Sequence, residues 1–548
     1  MLRKVTLLLV VVCLVLIGAL NVTAQDDGFI RYPITIDPEH LNPLTSDTIA
    51  IGTVLRNVYE GLTSLNAVTG EIEPAIAESW DITTNDAGQQ VYTFHIRPGV
   101  LFHEIEGVEL ENREVTADTV MWNYMVALSA DPDVVDQSTS SNLRFILGAE
   151  EYTAAMQEML DAGEEAPLIN EEMSVEGLKV VDDYTFEITL SQPDRLFLIN
   201  AGVTIVSPEA YEKLGDDFNN MPIGTGPYRF VEWLRQDRLV LEANPDYYMD
   251  GLPKNAGIRF INYGDANTAL LDYREGNLDF LFSFPDGQRQ SVIDEFGDQF
   301  HTQPGFHIRY WGFNMVDGQL ADEPLVRKAF SYALDRVTAW DIFSEGARFP
   351  ANLGFLSPLM PASTPSTIYN YDLDKAAELL AEAGYPNGEG LPTINIYLYE
   401  PIAGEAQVVV WQEALESLGV SIQFISEDGS TYWDNIRTDK ADIFQNGWAA
   451  GIPDPSDIFD YLILNGEGSM RWENEEVDDL LTQARLELDP AVREGLYQQV
   501  HDIVMDEAIV IPSAYSKLSW LQAPNVSGFE AGGNGTHSAR LWNVELGG

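Results

Sequence analysis

Residues 371–399 read "YDLDKAAELLAEAGYPNGEGLPTINIYLY", and their apolar period changes partway along. Ala376, Leu379, Leu380 and Ala383 recur at three- and four-residue steps, which is one face of a helix. Gly384 then offers a left-handed cap and Pro386 blocks continuation. Beyond them Ile394, Ile396 and Leu398 alternate, as in a strand. The same helix-then-strand cycle repeats downstream. "AQVVVWQEALESLG" ends at Gly419 before "VSIQFI", and "STYWDNIRTD" leads into "ADIFQNG". Upstream, Val326, Ala329, Phe330, Ala333 and Leu334 mark another amphipathic helix. Strands alternating with helices of this length predict an α/β lobe with a largely parallel sheet. Loops at its strand ends should face a cleft, and residues 447–459, "GWAAGIPDPSDIF", form one of them.

Before residue 300 the period is different. "QQVYTFHIRPGVLF", "YTFEITL" and "GPYRFVEWLRQDRLVLEANPDYY" alternate with period two between Gly, Pro, Asn and Asp clusters, predicting strands and hairpins. A strand-rich half thus precedes an α/β half.

Composition narrows the function. The chain has 548 residues, with 87 Asp+Glu against 30 Lys+Arg and a formal net charge of -57. Such a surface repels phosphate backbones, so nucleic acid is excluded as a partner. Scattered acids keep an exported protein soluble without building a metal site, which needs convergent ligands. At the N-terminus, "MLRK" precedes the apolar run "VTLLLVVVCLVLIGAL" and then "NVTAQDD". This reads as a signal peptide over residues 1–24, cleaved after Ala24, with a membrane anchor as the competing reading. Cys13, the only cysteine, lies inside that run, so disulfides and Cys-ligated metals are not expected beyond it. The expected product is exported, either periplasmic or at the outer face of the cytoplasmic membrane, and soluble.

Signatures of catalysis are missing from the sequence. Neither a G-x-S-x-G elbow nor a G-x-x-x-x-G-K-[ST] loop occurs. Gly224 and Gly226 in "IGTGPYRF" open a strand rather than a helix, which argues against a dinucleotide site. "HEIEG" carries Gly107 where a zinc protease motif needs histidine, and packing accounts for His95 and His103. Asp454, Asp457 and Asp460 are spaced as at a helix start, so Asp454 is read as an N-cap rather than an acid catalyst. No enzyme, cofactor or metal is expected.

Several motifs together, in order, resemble family 5 of the extracytoplasmic solute-binding proteins of ABC importers, which includes dipeptide- and oligopeptide-binding members. They are "LNPLTSDTIAIGTVLRNVYEGL", "PAIAESWDITTNDAGQQVYTFHIRPGVLFH" with "VTADTV", "PIGTGPYRFVEW" with "NPDYY", "ALLDYREGNLDF", "FNMVDGQLADEPLVRKAFSYALDR", "YDLDKAAELLAEAGY", "DIFQNGWAAGIPDPSDIF" and "IVIPSAY". The chain departs from the family at "FHEIEGVELENREVTADTV", which is longer than its counterpart, and at an acidic insertion near 129–175.

The resemblance implies an α/β, two-lobed fold of the periplasmic-binding-protein type II-like kind (cluster C), with a subdomain inserted in the N-terminal lobe. The expected segments are 25–62, 180–308 and 512–548 for lobe I, 63–179 for the insertion, and 309–511 for lobe II. Segments near "IRYWGFNM" and "IVIPSAY" would cross between the lobes as a hinge. The implied function is to capture an oligopeptide-like solute between lobes and deliver it, as a monomer, to ABC permease subunits. In peptide-binding members the loop after the Gly-Trp pair carries an acid that meets the ligand ammonium; here that position is Gly451, and a neighbouring family arginine falls on Gln445. The remaining candidates near the cleft are aromatic or polar: Trp448, Asn446, Tyr432, Trp433, Thr45, Ser46, Tyr310, Trp311 and Asn314. Flat rings with amide donors also suit sugars, so an oligosaccharide ligand competes with a peptide. An exported hydrolase and a sensory co-receptor are the readings from other classes.

Overall fold

A computed structural model describes residues 27–547 except 46–48, 67, 164–166, 171, 195–196, 201, 286, 317–319, 439, 467–468 and 536–537. The expected signal peptide and Ser46 therefore lie outside the described residues.

The cycle seen at 371–399 folds as its period predicts. Helix Leu373–Glu382 buries Ala376 and Leu380 completely. Asp372 caps it by accepting from the Lys375 amide at 2.9 Å. Gly384 has φ +97, a left-handed conformation in which a side chain would be strained. Strand Ile394–Tyr399 follows, and it lies parallel to both Ile422–Glu427 and Ile443–Trp448. The helices preceding these strands, Ala406–Ser417 and Gly429–Arg437, complete the α/β half.

The sheet is only partly parallel. Strands Phe300–Phe313 and Val510–Gln522 pair antiparallel with each other, and Phe300–Phe313 pairs antiparallel with Ile443–Trp448. These two long strands leave and re-enter the same neighbourhood, so they must run in opposite directions. Their far ends join other cores. Trp520 belongs to the apolar core of the N-terminal lobe, whereas Tyr310, Trp311 and Ile511 belong to those of the α/β lobe. The pairing shifts register between Pro304 and Ile308 and again between Arg309 and Tyr310. Pro304 has no amide hydrogen to donate, so regular pairing is weakest there. That irregularity begins upstream of the crossing segment expected at "IRYWGFNM".

The N-terminal half contains two four-stranded sheets. One orders Phe29–Ile34, Gly257–Asn262, Arg238–Ala243 and Tyr228–Leu234. The other orders Ala77–Thr84, Gln90–Ile96, Thr185–Thr189 and Leu178–Asp182, all antiparallel, and encloses its own apolar core. The expected end of the insertion at 179 therefore falls inside a strand. Thr185–Thr189 is hydrogen-bonded into the inserted sheet because its buried Phe186 and Ile188 complete that core.

Alternation places Trp311 away from any cleft. Tyr310 and Trp311 point to opposite faces of the sheet. Trp311 packs on Trp411 with ring centroids 4.7 Å apart, and both are 0% exposed. Trp311→Ala is expected to lower stability in urea unfolding by about 3–5 kcal/mol, the cost of a large core cavity. A loss below about 1 kcal/mol would contradict this placement.

Candidate functional site

Strand Ile443–Trp448 ends in a loop, residues 449–455, that runs into helix Ser456–Leu462. The loop is held by carboxylates that the sequence had suggested for a helix start. Asp457 accepts from Trp448 Nε1 at 2.7 Å, from the Gly451 amide at 2.8 Å and from the Ile452 amide at 3.1 Å. It therefore fixes both the tryptophan ring and the turn. Burial nevertheless raises the Asp457 pKa against these three donors. Asp454 stands one residue ahead of the N-cap, which is Pro455. It accepts from the Ser456 amide at 3.0 Å, but its main partner is Arg493, at 2.5 and 2.8 Å. Its role as N-cap is thus corrected to a buried, bidentate anchor for helix Pro490–Asp506. Asp460 pairs with Arg485 at 2.9 Å, and burial pushes it up to about 6.

The loop projects into the space between the α/β lobe and the N-terminal half. The Gly451 carbonyl accepts from Asn534 Nδ2 at 3.1 Å, and Gly70 lies against Pro453. On one side is a cavity of about 510 Å³ lined by Arg56, Tyr59, Glu60, Thr204, Tyr247 and Trp542, with Gly451 and Ile452 at its wall. On the other, a cavity of about 600 Å³ places Trp448, Asp457, Asp460 and Tyr461 opposite Arg144, Phe145 and Asp194 of the inserted region. Ile452 lines both, so the loop divides one cleft into two chambers. Trp448 and Tyr461 stack at 5.5 Å, and the pair also borders a third cavity of about 650 Å³ with Trp433 and Asn446.

Of the residues expected from sequence, Trp448, Trp433, Asn446 and Gly451 reach these cavities. Tyr432, Gln445, Tyr310, Trp311, Asn314 and Thr45 do not line them. Tyr432 is fully buried and donates its phenol to the Gln445 carbonyl. The Gln445 side chain, also buried, donates to the Ile402 carbonyl at 2.9 Å. Tyr310 packs edge-on against Phe355, and Asn314 accepts from the Val316 amide at 3.2 Å. Thr45 is half-buried outside these walls. His95 and His103 differ in role. His95 pairs with Asp81 at 2.9 Å, while buried His103 contacts the Gly226 carbonyl at 2.9 Å and is pushed down to about 4 by desolvation. The glycines of "IGTGPYRF" allow close packing, since a Cβ at Gly224 would lie 2.0 Å from the Val58 carbonyl oxygen.

Two charged residues of the first cavity were not singled out by the sequence. Glu60 accepts from Tyr247 at 2.9 Å, Tyr248 at 2.8 Å and Thr225 at 3.1 Å. Desolvation outweighs those donors and pushes its carboxyl up to about 7. Arg56 follows helix Ile49–Leu55 and folds back over Gly52, whose missing side chain leaves the helix face bare. Neither could be separated from an ordinary surface charge by its spacing alone.

The comparisons with known proteins point one way. Residues 71–469 match the model described as bacterial extracellular solute-binding proteins, family 5 Middle. The glutathione-binding protein GsiB of Escherichia coli (strain K12) is 26% identical over 513 residues, 90% of this chain and 89% of that protein. Among solved structures, the periplasmic binding protein DppA of Helicobacter pylori, in complex with the peptide STSA, gives a TM-score of 0.72 at 22% identity, covering 95% of this chain and 98% of that one. HbpA2 of Haemophilus parasuis gives 0.76 at 24%, covering 94% and 99%.

Because Glu60 is protonated more readily folded (about 7) than unfolded, its ionisation opposes folding above that pH and ceases to do so as pH falls towards 5. Glu60→Gln should therefore gain stability relative to wild type between pH 5 and pH 8.5, by at most about 3 kcal/mol. Paired thermal melts at the two pH values check this; a stability difference independent of pH would contradict it.

Proposed function

The chain belongs to family 5 of the bacterial extracellular solute-binding proteins, and from that premise we propose that it captures an oligopeptide-like solute in the divided cleft and delivers it to an ABC permease. The observation that carries this reading is the placement of the 449–455 loop. It walls two chambers at once, against Arg56 and Tyr247 on one side and Arg144 and Phe145 on the other. A solute spanning Ile452 would touch both lobes, and contacts to both are what bias a two-lobed protein towards closure. Relatives named for glutathione and for a bound peptide support a ligand with amide links and charged ends.

The acid missing at Gly451 has a spatial neighbour. An Asp457 carboxylate oxygen lies 3.6 Å from where a Cβ at Gly451 would be. It is already committed to three donors, so it shapes the pocket more than it offers a free counter-charge. The stacked Trp448–Tyr461 pair is the specific feature that favours an oligosaccharide as the second reading. Export, a monomeric state and the absence of catalysis belong to the same proposal.

Native mass spectrometry of freshly purified protein is expected to show a co-purified peptide mass, and a hexose ladder would overturn the peptide reading. Trp448→Ala should weaken binding of that ligand about tenfold or more, near 1.4 kcal/mol, with the melting temperature little changed. Unchanged affinity would remove Trp448 from the site.

A further inference from the structure

The first cavity contains one cation with no counter-ion. Its other charges are already balanced or suppressed. Arg540 pairs with Glu73 at 2.6 Å, and the Glu60 carboxyl, pushed up to about 7 by desolvation, is occupied by three hydroxyl donors. The Arg56 guanidinium has no hydrogen bond or ion pair among the described residues. Its side chain is accessible to the cavity, yet the surrounding walls are close enough to desolvate the guanidinium and lower its pKa. A charge so placed has lost part of its hydration without a partner in return, an arrangement that favours an incoming anion.

The rest of the molecule sharpens this preference. With a formal net charge of -57, the protein repels a free anion, so an anionic ligand needs a local cation to settle. Arg56 supplies a planar fork of donors, the geometry that matches a carboxylate in two parallel hydrogen bonds. Folding back over Gly52 leaves it directed by the helix rather than by a partner side chain.

We infer that Arg56 is the residue that selects a solute with a free carboxylate, which it receives in the chamber beside Gly451. The assignment rests on the cleft being the solute site. It makes a neutral oligosaccharide a poor occupant of this chamber, because the guanidinium would remain uncompensated.

The test uses two tripeptide libraries of identical composition, one with free C-terminal carboxylates and one C-terminally amidated. Full-length exported protein, stripped of ligand by unfolding and refolding, is incubated with each, and retained peptides are counted by mass spectrometry. Wild type should retain the free-acid library about tenfold or more over the amides. Arg56→Gln should abolish that preference, and Arg56→Lys should keep part of it, since the charge stays while the fork is lost. Circular dichroism and melting temperature matched to wild type establish that the variants are folded. Equal retention of both libraries by wild type, or an undiminished preference in Arg56→Gln, overturns the role of Arg56 while leaving a peptide-binding cleft. Retention of neither library overturns the peptide reading itself, and this assignment with it.

Discussion

The antiparallel pairing of strands Phe300–Phe313 and Val510–Gln522 is the constraint on which the architecture depends. Each strand is long enough to be buried in one lobe at one end and in the other lobe at the other end. Phe300 and Leu521 pair near the N-terminal half, while Trp311 pairs with Ile511 inside the α/β lobe. The lobes are therefore tied through hydrogen-bonded backbone, and that pairing is irregular in places. The register shift between Pro304 and Ile308 is such a place.

The cleft chemistry follows from how few charges are left uncommitted. Asp454, Asp457 and Asp460 look like a concentration of negative charge at a pocket mouth, yet each is engaged by arginine, indole or backbone donors. They form the loop and orient Trp448. Arg56 differs because no acid among the described residues pairs with its guanidinium, although Glu60 lines the same cavity, and in a chain of formal charge -57 that is itself informative. Selectivity in the first chamber then comes from one cation and the shape of the walls, with the stacked Trp448–Tyr461 pair providing an apolar surface in the second.

Much of this was legible from residue order. The helical stripe ending at Gly384 and the alternation at Ile394, Ile396 and Leu398 identify the α/β half without coordinates, because burial on one face leaves a period. Trp448 and Gly451 were reachable through the loop they occupy. Trp311 was not separable from Tyr310, since alternation places neighbours on opposite faces without saying which face meets the cleft. Asp454 read as a cap because spacing reports the local helix and is silent about Arg493, which is distant in sequence. Arg56 was invisible for a similar reason: the absence of a partner is a property of the folded neighbourhood, and a lone arginine after a helix looks solvated.

On the proposed function, a solute bridging the divided cleft draws the lobes together about the crossing strands. Since Cys13 is the only cysteine, spin labels can be placed on Cys13→Ser protein at Asp86→Cys, in the inserted region, and Glu413→Cys, in the α/β lobe. Pulsed electron double resonance then compares ligand-stripped protein with the same sample after its co-purified ligand is added back. A shorter and narrower distance distribution on reloading is the result predicted here. Superimposable distributions in the two samples would contradict it.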